Sequence, residues 1–377
     1  MRTPAILLLA AVLAATAHAA QLVTVDQVQK ILTASRGESD TKLAEQISSF
    51  EAVERIDTPT LLRWQAAAPG DRTREALLLL ADSSAFLPLP PSRIVDQPPP
   101  DAAGMQQILA RTIDHLGKVL HNLPNFMAVR DVTQFEDSPM RERLDIANSP
   151  GAHQHIRSID SAKLVVGKPY FLHLYLSGRK RMKVTYRDGH EVQVNLAKND
   201  VDAGLRSRGE FGAVLAVVIG DAFRQQLEWD HWVQSPAGPL ATFRYVVPAG
   251  ASHDVVEYPS DAGVKRILPS YHGEIAIDPA SGAVLRLTII ADMPQPYEHI
   301  QSALVVEYGS VVLGDRTYIC PVRSMNLARE PLAGETQDAA PVLRTFLNDI
   351  SFTDYHLFRA DVRILGPAHT ENPSQPH

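Results

Sequence analysis

Two consecutive hairpins between Tyr271 and Leu327 limit the architecture more than any other stretch. The first reads YHGEIAID, a turn at Asp278-Pro279-Ala280-Ser281-Gly282, then AVLRLTII. The second reads ALVVEYGSVVL, a turn at Gly314-Asp315-Arg316, then TYICPVRSMNL. Alternating apolar and polar residues between turn signals mark antiparallel strands. Strands of this length in meander order require a large curved sheet.

The segments before them divide the chain. Met1-Arg2, an apolar run from Ile6 to Ala15 and Ala17-His18-Ala19 form the pattern of a secretory signal peptide over residues 1–19. That apolar run is shorter than the about 20 residues a membrane-spanning helix needs. Residues 20–87 carry helical spacing, with Thr24, Ser39 or Asp40, Thr58-Pro59 and Asp71 as start signals, and are expected to form a small helical domain with Leu61, Leu62, Trp64 and Leu77–Leu80 in its core. Residues 88–100, dense in proline, are expected to be an extended linker that does not pair into a sheet. Residues 101–366 hold one long amphipathic helix, Asp101–Asn122, then roughly ten to twelve strands, and residues 367–377 form a polar tail. Asp188-Gly189 marks a two-residue hairpin. The expected class is α+β: a helical domain followed by a curved, mostly antiparallel, unclosed β-barrel with one covering helix.

That covering helix spans Glu210–Phe223, with Phe211, Val214, Leu215, Val218 and Ala222 on one side. Beneath it, alternation assigns an apolar inner face: Tyr170, Leu172, Leu174 and Leu176; Phe243, Tyr245 and Val247; Leu285, Leu287 and Ile289; Leu304, Val306 and Tyr308. Such a face is either core beneath the helix or the lining of a ligand cavity. The residues that would line a cavity are Leu172, Leu174, Leu215, Val218, Trp229, Trp232, Phe243, Tyr245, Leu285, Leu287, Leu304 and Val306. In an unbroken strand, Trp229 and His231 face one way, and Asp230 and Trp232 the other. One tryptophan then packs on the core and one stands at the rim.

The order of these segments, with GEFGAVLAVVIGDAF, YHGEIAIDPASGAVLRLTIIADMP and VVEYGSVVLGDRTYICPVR, resembles the unclosed β-barrel of periplasmic lipoprotein carriers of the Lol type. LPNFMAVRDVTQFED and FLNDISFTDYHLF bring it closer to uncharacterised secreted bacterial proteins of that build. The resemblance covers residues 101–365. It implies a concave apolar face that shields acyl chains beneath a helical lid.

Other features exclude more than they propose. A formal charge of −7 does not suit a nucleic-acid partner. The single Cys320, in the alternating run TYICPV, allows no internal disulfide and reads as a strand thiol. His153 and His155 form an H-x-H without a third ligand nearby, so no metal or cofactor is expected. Gly178–Lys183 reads as a basic turn between strands, suited to blunting a sheet edge. No nucleophile elbow, zinc-protease motif, phosphate loop or dinucleotide fingerprint occurs. The expected function is an exported, non-enzymatic carrier of a hydrophobic ligand such as a lipid. The alternatives are an envelope scaffold that binds a protein partner through its N-terminal helices, and an unrecognised hydrolase near His231.

Overall fold

The structure, a computed structural model, describes residues 20–137, 164–169, 174–192, 210–225, 227–260, 263–331 and 343–357. The signal-like segment, His153, His155, Tyr170, Leu172 and the tail lie outside the described residues.

The N-terminal unit is helical as expected, with one addition. Its helices are α1 (Val25–Ala34), α2 (Asp40–Ile47), α3 (Thr58–Ala67) and α4 (Asp71–Ser83). Thr24 and Gln27 form a reciprocal capping box on α1, and Ser39 caps α2. Asp57, rather than Thr58, caps α3 and leaves Pro59 in its first turn. The addition is a parallel pair of short strands, β1 (Gln21–Val23) and β2 (Phe50–Ala52). Val23, Ile47, Phe50, Leu61, Trp64 and Leu77 close the core of this unit, whereas Leu62, expected there, is exposed on the outer side of α3.

Thirteen more strands follow: β3 (Ile94–Val95), β4 (Phe126–Glu136), β5 (Tyr175–Arg187), β6 (His190–Val192), β7 (Leu227–Val233), β8 (Leu240–Val247), β9 (Val256–Ser260), β10 (Gly263–Ile267), β11 (Ser270–Ile277), β12 (Val284–Asp292), β13 (Gln301–Leu313), β14 (Arg316–Pro331) and β15 (Leu343–Leu357). Among the described residues two α-helices interrupt them, α5 (Ala102–Asn122) and α6 (Ala213–Ala222). β9 and β10 pair, among the described residues, only with each other. The rest form one 11-stranded sheet in the order β3-β7-β8-β11-β12-β13-β14-β15-β4-β5-β6. Every neighbouring pair in it is antiparallel. Its edges, β3 and β6, do not pair, so among the described residues the barrel is unclosed, as expected.

Both hairpins of the opening stretch form. Asp278 accepts from the Ala280 and Ser281 amides, and Arg111 of α5 donates to the Pro279 carbonyl at 2.8 Å. Gly282 has φ 76°, and a side-chain carbon there would sit 2.4 Å from the Arg111 backbone. Only glycine satisfies both conditions. Asp188 (φ 52°) and Gly189 (φ 83°) make the expected tight turn between β5 and β6.

The sheet is covered on both faces. Ile108 and Leu116 of α5 and Leu215, Val218 and Ala222 of α6 pack on Phe243, Tyr245, Leu287 and Val306. On the opposite face, Leu78, Leu79, Ala85 and Phe86 pack on Phe135, Met325, Leu327 and Leu347. The helical unit is thus the third layer of one body, not a part held away by a spacer. The proline-dense segment also departs from expectation, because Ile94 and Val95 pair with Val233 and Trp232. Its prolines flank a two-residue edge strand, where a missing amide costs no ladder bond. The basic run is likewise not a turn but the middle of β5, where Arg179 meets Glu75 of α4 at 2.8 Å.

Candidate functional site

The expected inner-face residues are brought together, but as packed core. Leu215, Val218, Trp232, Phe243, Tyr245, Leu287 and Val306 belong to one buried cluster, with Trp229 and Leu304 packed against it. The space lined by Leu116, Phe211, Leu215, Val284, Tyr308 and Ile319 amounts to about 20 Å³, room for about one water.

Two of the expected positions, Leu285 and Leu174, depart from that face, and the two tryptophans share it instead of dividing between faces. Leu285 is an extra residue between the pairs Ala276–Arg286 and Ile277–Val284, a β-bulge that turns it to the other side. Asp230 is likewise extra between Trp229–Phe243 and His231–Thr242. That bulge puts both tryptophans on the inner face, 4.9 Å apart edge to face, instead of on opposite faces. Leu174 packs with Phe135 and Leu347 on the face that carries the helical unit.

A larger space lies on that second face. It is a cleft of about 270 Å³ between the helical unit and strands β12–β14, with Ile56, Leu89, Leu240, Leu285, Val305 and Met325 among its apolar walls. A second bulge residue, Val322, between the pairs Glu307–Arg323 and Tyr308–Pro321, also lines it. The two irregularities re-aim apolar side chains at one place.

Charged groups cross the sheet at the cleft, and Arg286, Glu307 and Arg323 among them line it. Glu274, Arg286, Glu307 and Arg323 come from four successive strands, with Arg286 paired to Glu307 and Glu307 to Arg323 in register. Alternating charges on directly opposed positions attract one another. Arg323 is the hub. Its Nε donates to Asp349 at 2.6 Å, its Nη1 to Thr58 Oγ1 at 2.8 Å, and its Nη2 to Asp82 Oδ1. Thr58 Oγ1 in turn donates to Glu307 Oε2 at 2.5 Å. Arg55 and Arg286 both donate to Glu274 Oε2, at 3.3 and 3.4 Å, and Arg286 also reaches the Ala85 carbonyl at 2.7 Å. Arg93 pairs with Asp57 at 2.6 Å. Helices and sheet are therefore joined by a buried polar network that borders an open space.

Burial and the neighbouring charges tune these groups. Burial, then the Asp349 charge, push the Asp82 carboxyl well above the usual carboxylate range against the pull of Arg323. Burial raises Asp349 as well, with Arg323 opposing. At Glu274 burial acts upward, but Arg55 and Arg286 outweigh it and hold the carboxyl low. Burial and the like charge of Arg55 bring Arg286 down to about 9. The arrangement can bind and orient a polar group beside an apolar wall.

A second polar cluster lies under α6. Asp221 is buried and accepts from the His253 amide at 2.9 Å, the His253 ring at 2.6 Å and Tyr271 Oη at 2.9 Å. Burial pushes its carboxyl up, and these hydrogen bonds outweigh that and hold it low. Burial, then the charge of Asp221, push the adjacent Asp254 up to about 6. The folded chain then holds the Asp254 proton more tightly than the unfolded one, whose carboxyl titrates near about 4. Stability from this group is present at acid pH and is lost as pH rises from about 4 to about 6. Asp254→Asn is expected to gain about 1–2 kcal/mol over wild type near pH 7 and nothing near pH 4. Urea denaturation at both pH values checks this, and a gain that persists in acid would overturn it.

Cys320 is buried, and burial raises its thiol to about 12, which suits a core residue and not a nucleophile. Among the described residues no group of three or more His, Cys, Asp or Glu is placed to hold a metal ion, and no helix is long and apolar enough to cross a membrane. No protein family, curated protein or solved structure matches the chain.

Proposed function

We propose that the chain is an exported, non-catalytic binding protein that carries a small amphiphilic molecule in the cleft between its helical unit and its sheet. The observation that carries this reading is the contrast between the two faces. Among the described residues, about 270 Å³ opens under the helical unit, against about 20 Å³ among the core side chains beneath α5 and α6. The larger figure is close to the lower end of the range of small-molecule sites, about 300 Å³. Apolar walls above a polar floor suit a ligand with both characters. Export is proposed from the signal-like residues 1–19.

The carrier resemblance would put the ligand on the concave face, and the packing of Phe243, Tyr245, Leu287 and Val306 argues for moving it to the other side. The scaffold alternative gains less support, because the helices that would bind a partner are themselves engaged with the sheet through Arg323, Arg286 and Phe86.

The test is saturable binding of a neutral solvatochromic dye to the full chain. Leu285→Trp, which fills the cleft from its wall, is expected to weaken binding about tenfold or more with an unchanged near-ultraviolet circular dichroism spectrum. Unchanged dye affinity in that variant would remove the cleft as the site.

A further inference from the structure

Four cations line the cleft, Arg55, Arg93, Arg286 and Arg323, and no described lysine stands beside them. A guanidinium presents five N–H donors in a fork that fits two oxygens at once. These donors are spent unevenly. Arg323 uses Nε and both terminal nitrogens on Asp349, Thr58 and Asp82, and Arg286 uses both terminal nitrogens on Glu274 and the Ala85 carbonyl. Arg55, 8% exposed, makes one side-chain hydrogen bond among the described residues, from Nη1 to Glu274. The side chain of Arg93 makes none: Asp57 Oδ2 lies 2.6 Å from its Nε, yet that N–H has no hydrogen-bond partner. Asp57 is itself committed, since its Oδ1 caps α3 through the Thr60 amide at 3.0 Å. Arg93 Nε is shut away from solvent, whereas the terminal nitrogens of Arg93, and Nε and Nη2 of Arg55, are not. Two residues of the wall thus carry accessible donors with no acceptor among the described residues.

The pairing of charges says what kind of acceptor fits. Arg55, Arg93 and Arg286 have two carboxylates in contact with them, Asp57 and Glu274. Arg55 and Arg286 share a single oxygen of Glu274, at 3.3 and 3.4 Å. The carboxylates that reverse the overall count gather elsewhere. Asp82 and Asp349 are taken by Arg323, and Glu307 accepts from Thr58 and forms no ion pair among the described residues. The end of the cleft at Arg55 and Arg93 therefore holds one positive charge more than its own contacts cancel. A half-buried cation that lacks a partner is costly, so this end favours a singly charged anion. A carboxylate carries that charge on two oxygens in one plane, the shape a guanidinium fork receives. A phosphate monoester carries about two charges near neutral pH and would overshoot.

We infer that the occupant of the cleft is a monoanionic amphiphile, a carboxylate with an alkyl body, whose head lies on Arg93 and Arg55. The body lies along the apolar wall that Leu285, Val305 and Met325 supply. This rests on the cleft being the binding site, and the experiment separates the two.

Octanoate, octanamide and octylamine share a chain and differ in head. Each is titrated at about pH 8 against the full chain loaded with the neutral dye. The titrations use wild type, Arg93→Gln, and Arg179→Gln, which removes a guanidinium that meets Glu75 outside the cleft. Octanoate is expected to displace the dye at concentrations about tenfold lower than octanamide, with octylamine weakest. Arg93→Gln keeps an N–H donor and loses the charge, so it should remove most of the octanoate advantage and leave octanamide unchanged. Arg179→Gln should alter neither. Equal displacement by octanoate and octanamide, or tighter binding of either uncharged or cationic probe, would overturn the head-group inference and leave the cleft in place. An octanoate advantage that survives Arg93→Gln would overturn the placing of the head. Failure of every probe to displace a dye that Leu285→Trp excludes would also overturn the inference. Dye binding that ignores Leu285→Trp removes the cleft itself. If Arg93→Gln does not fold, the ranking of the three heads in wild type decides alone.

Discussion

Replacing Arg323 by alanine is expected to lower stability by about 3–5 kcal/mol, the usual scale for breaking a buried ion pair from one side. The guanidinium holds Asp82 and Asp349 at once, and both carboxyls are nearly inaccessible to water. Alanine leaves them buried, close together and without a cation. The sign of the pH effect follows. Both carboxyls already titrate above their ordinary range in the folded protein, and loss of the one attractive charge raises them further. Protonation relieves a penalty of this kind, so the deficit of Arg323→Ala should be largest near neutral pH and should narrow on acidification. Removing the whole cluster as Arg323→Met, Asp82→Leu and Asp349→Leu should recover most of the loss, since an apolar replacement leaves no orphaned charge. Urea midpoints at two pH values decide the matter. A deficit under about 1 kcal/mol would mean that water reaches the network and that it behaves like a surface pair.

The parts of the fold that were legible are those in which one residue type has one physical meaning. Asp278 and Gly282 mark a turn because a carboxylate caps amides and glycine takes positive φ. Asp188-Gly189 marks a hairpin for the same reason. The apolar spacing of α5 and α6 says that each packs on something. Face assignments along the strands were legible only as far as the next bulge. Counting by twos assigns Leu285 to the face of Leu287, and a single extra residue reverses that, as Asp230 does for Trp232. Such insertions leave no mark in composition or periodicity.

The candidate site was hidden for a different reason. Glu274, Arg286 and Glu307 each stand between non-polar neighbours and Arg323 follows Val322, which is how a solvent-facing position reads. In the folded chain the helical unit covers them instead, and the charges are satisfied by Arg55, Thr58 and Asp82, which lie far away in sequence. The sign order across the four strands, minus, plus, minus, plus, was present in the sequence. It gains meaning only once the strands are known to be neighbours in register.

Leu287→Ala tests the opposite face and so the division of labour between the two. Leu287 is 1% exposed beside Phe243, Tyr245 and Val306 under the helices. As a filled-core residue it is expected to cost about 2–5 kcal/mol when truncated, because the transfer energy of the lost atoms and the cavity they leave both count. Lining of a hollow site would respond differently: truncation would enlarge an existing space, with little new cavity surface and a smaller loss, and it would alter ligand affinity. The filled reading therefore expects two results together in Leu287→Ala, a large drop in the urea midpoint and an unchanged dissociation constant for the neutral dye. A small drop accompanied by weakened dye binding would return the ligand to the concave face. The sheet separates Leu287 from Leu285 by two positions along one strand, and the bulge between them puts one in the core and the other on the cleft wall. Truncating the first and enlarging the second should then produce independent effects, stability from Leu287 and binding from Leu285.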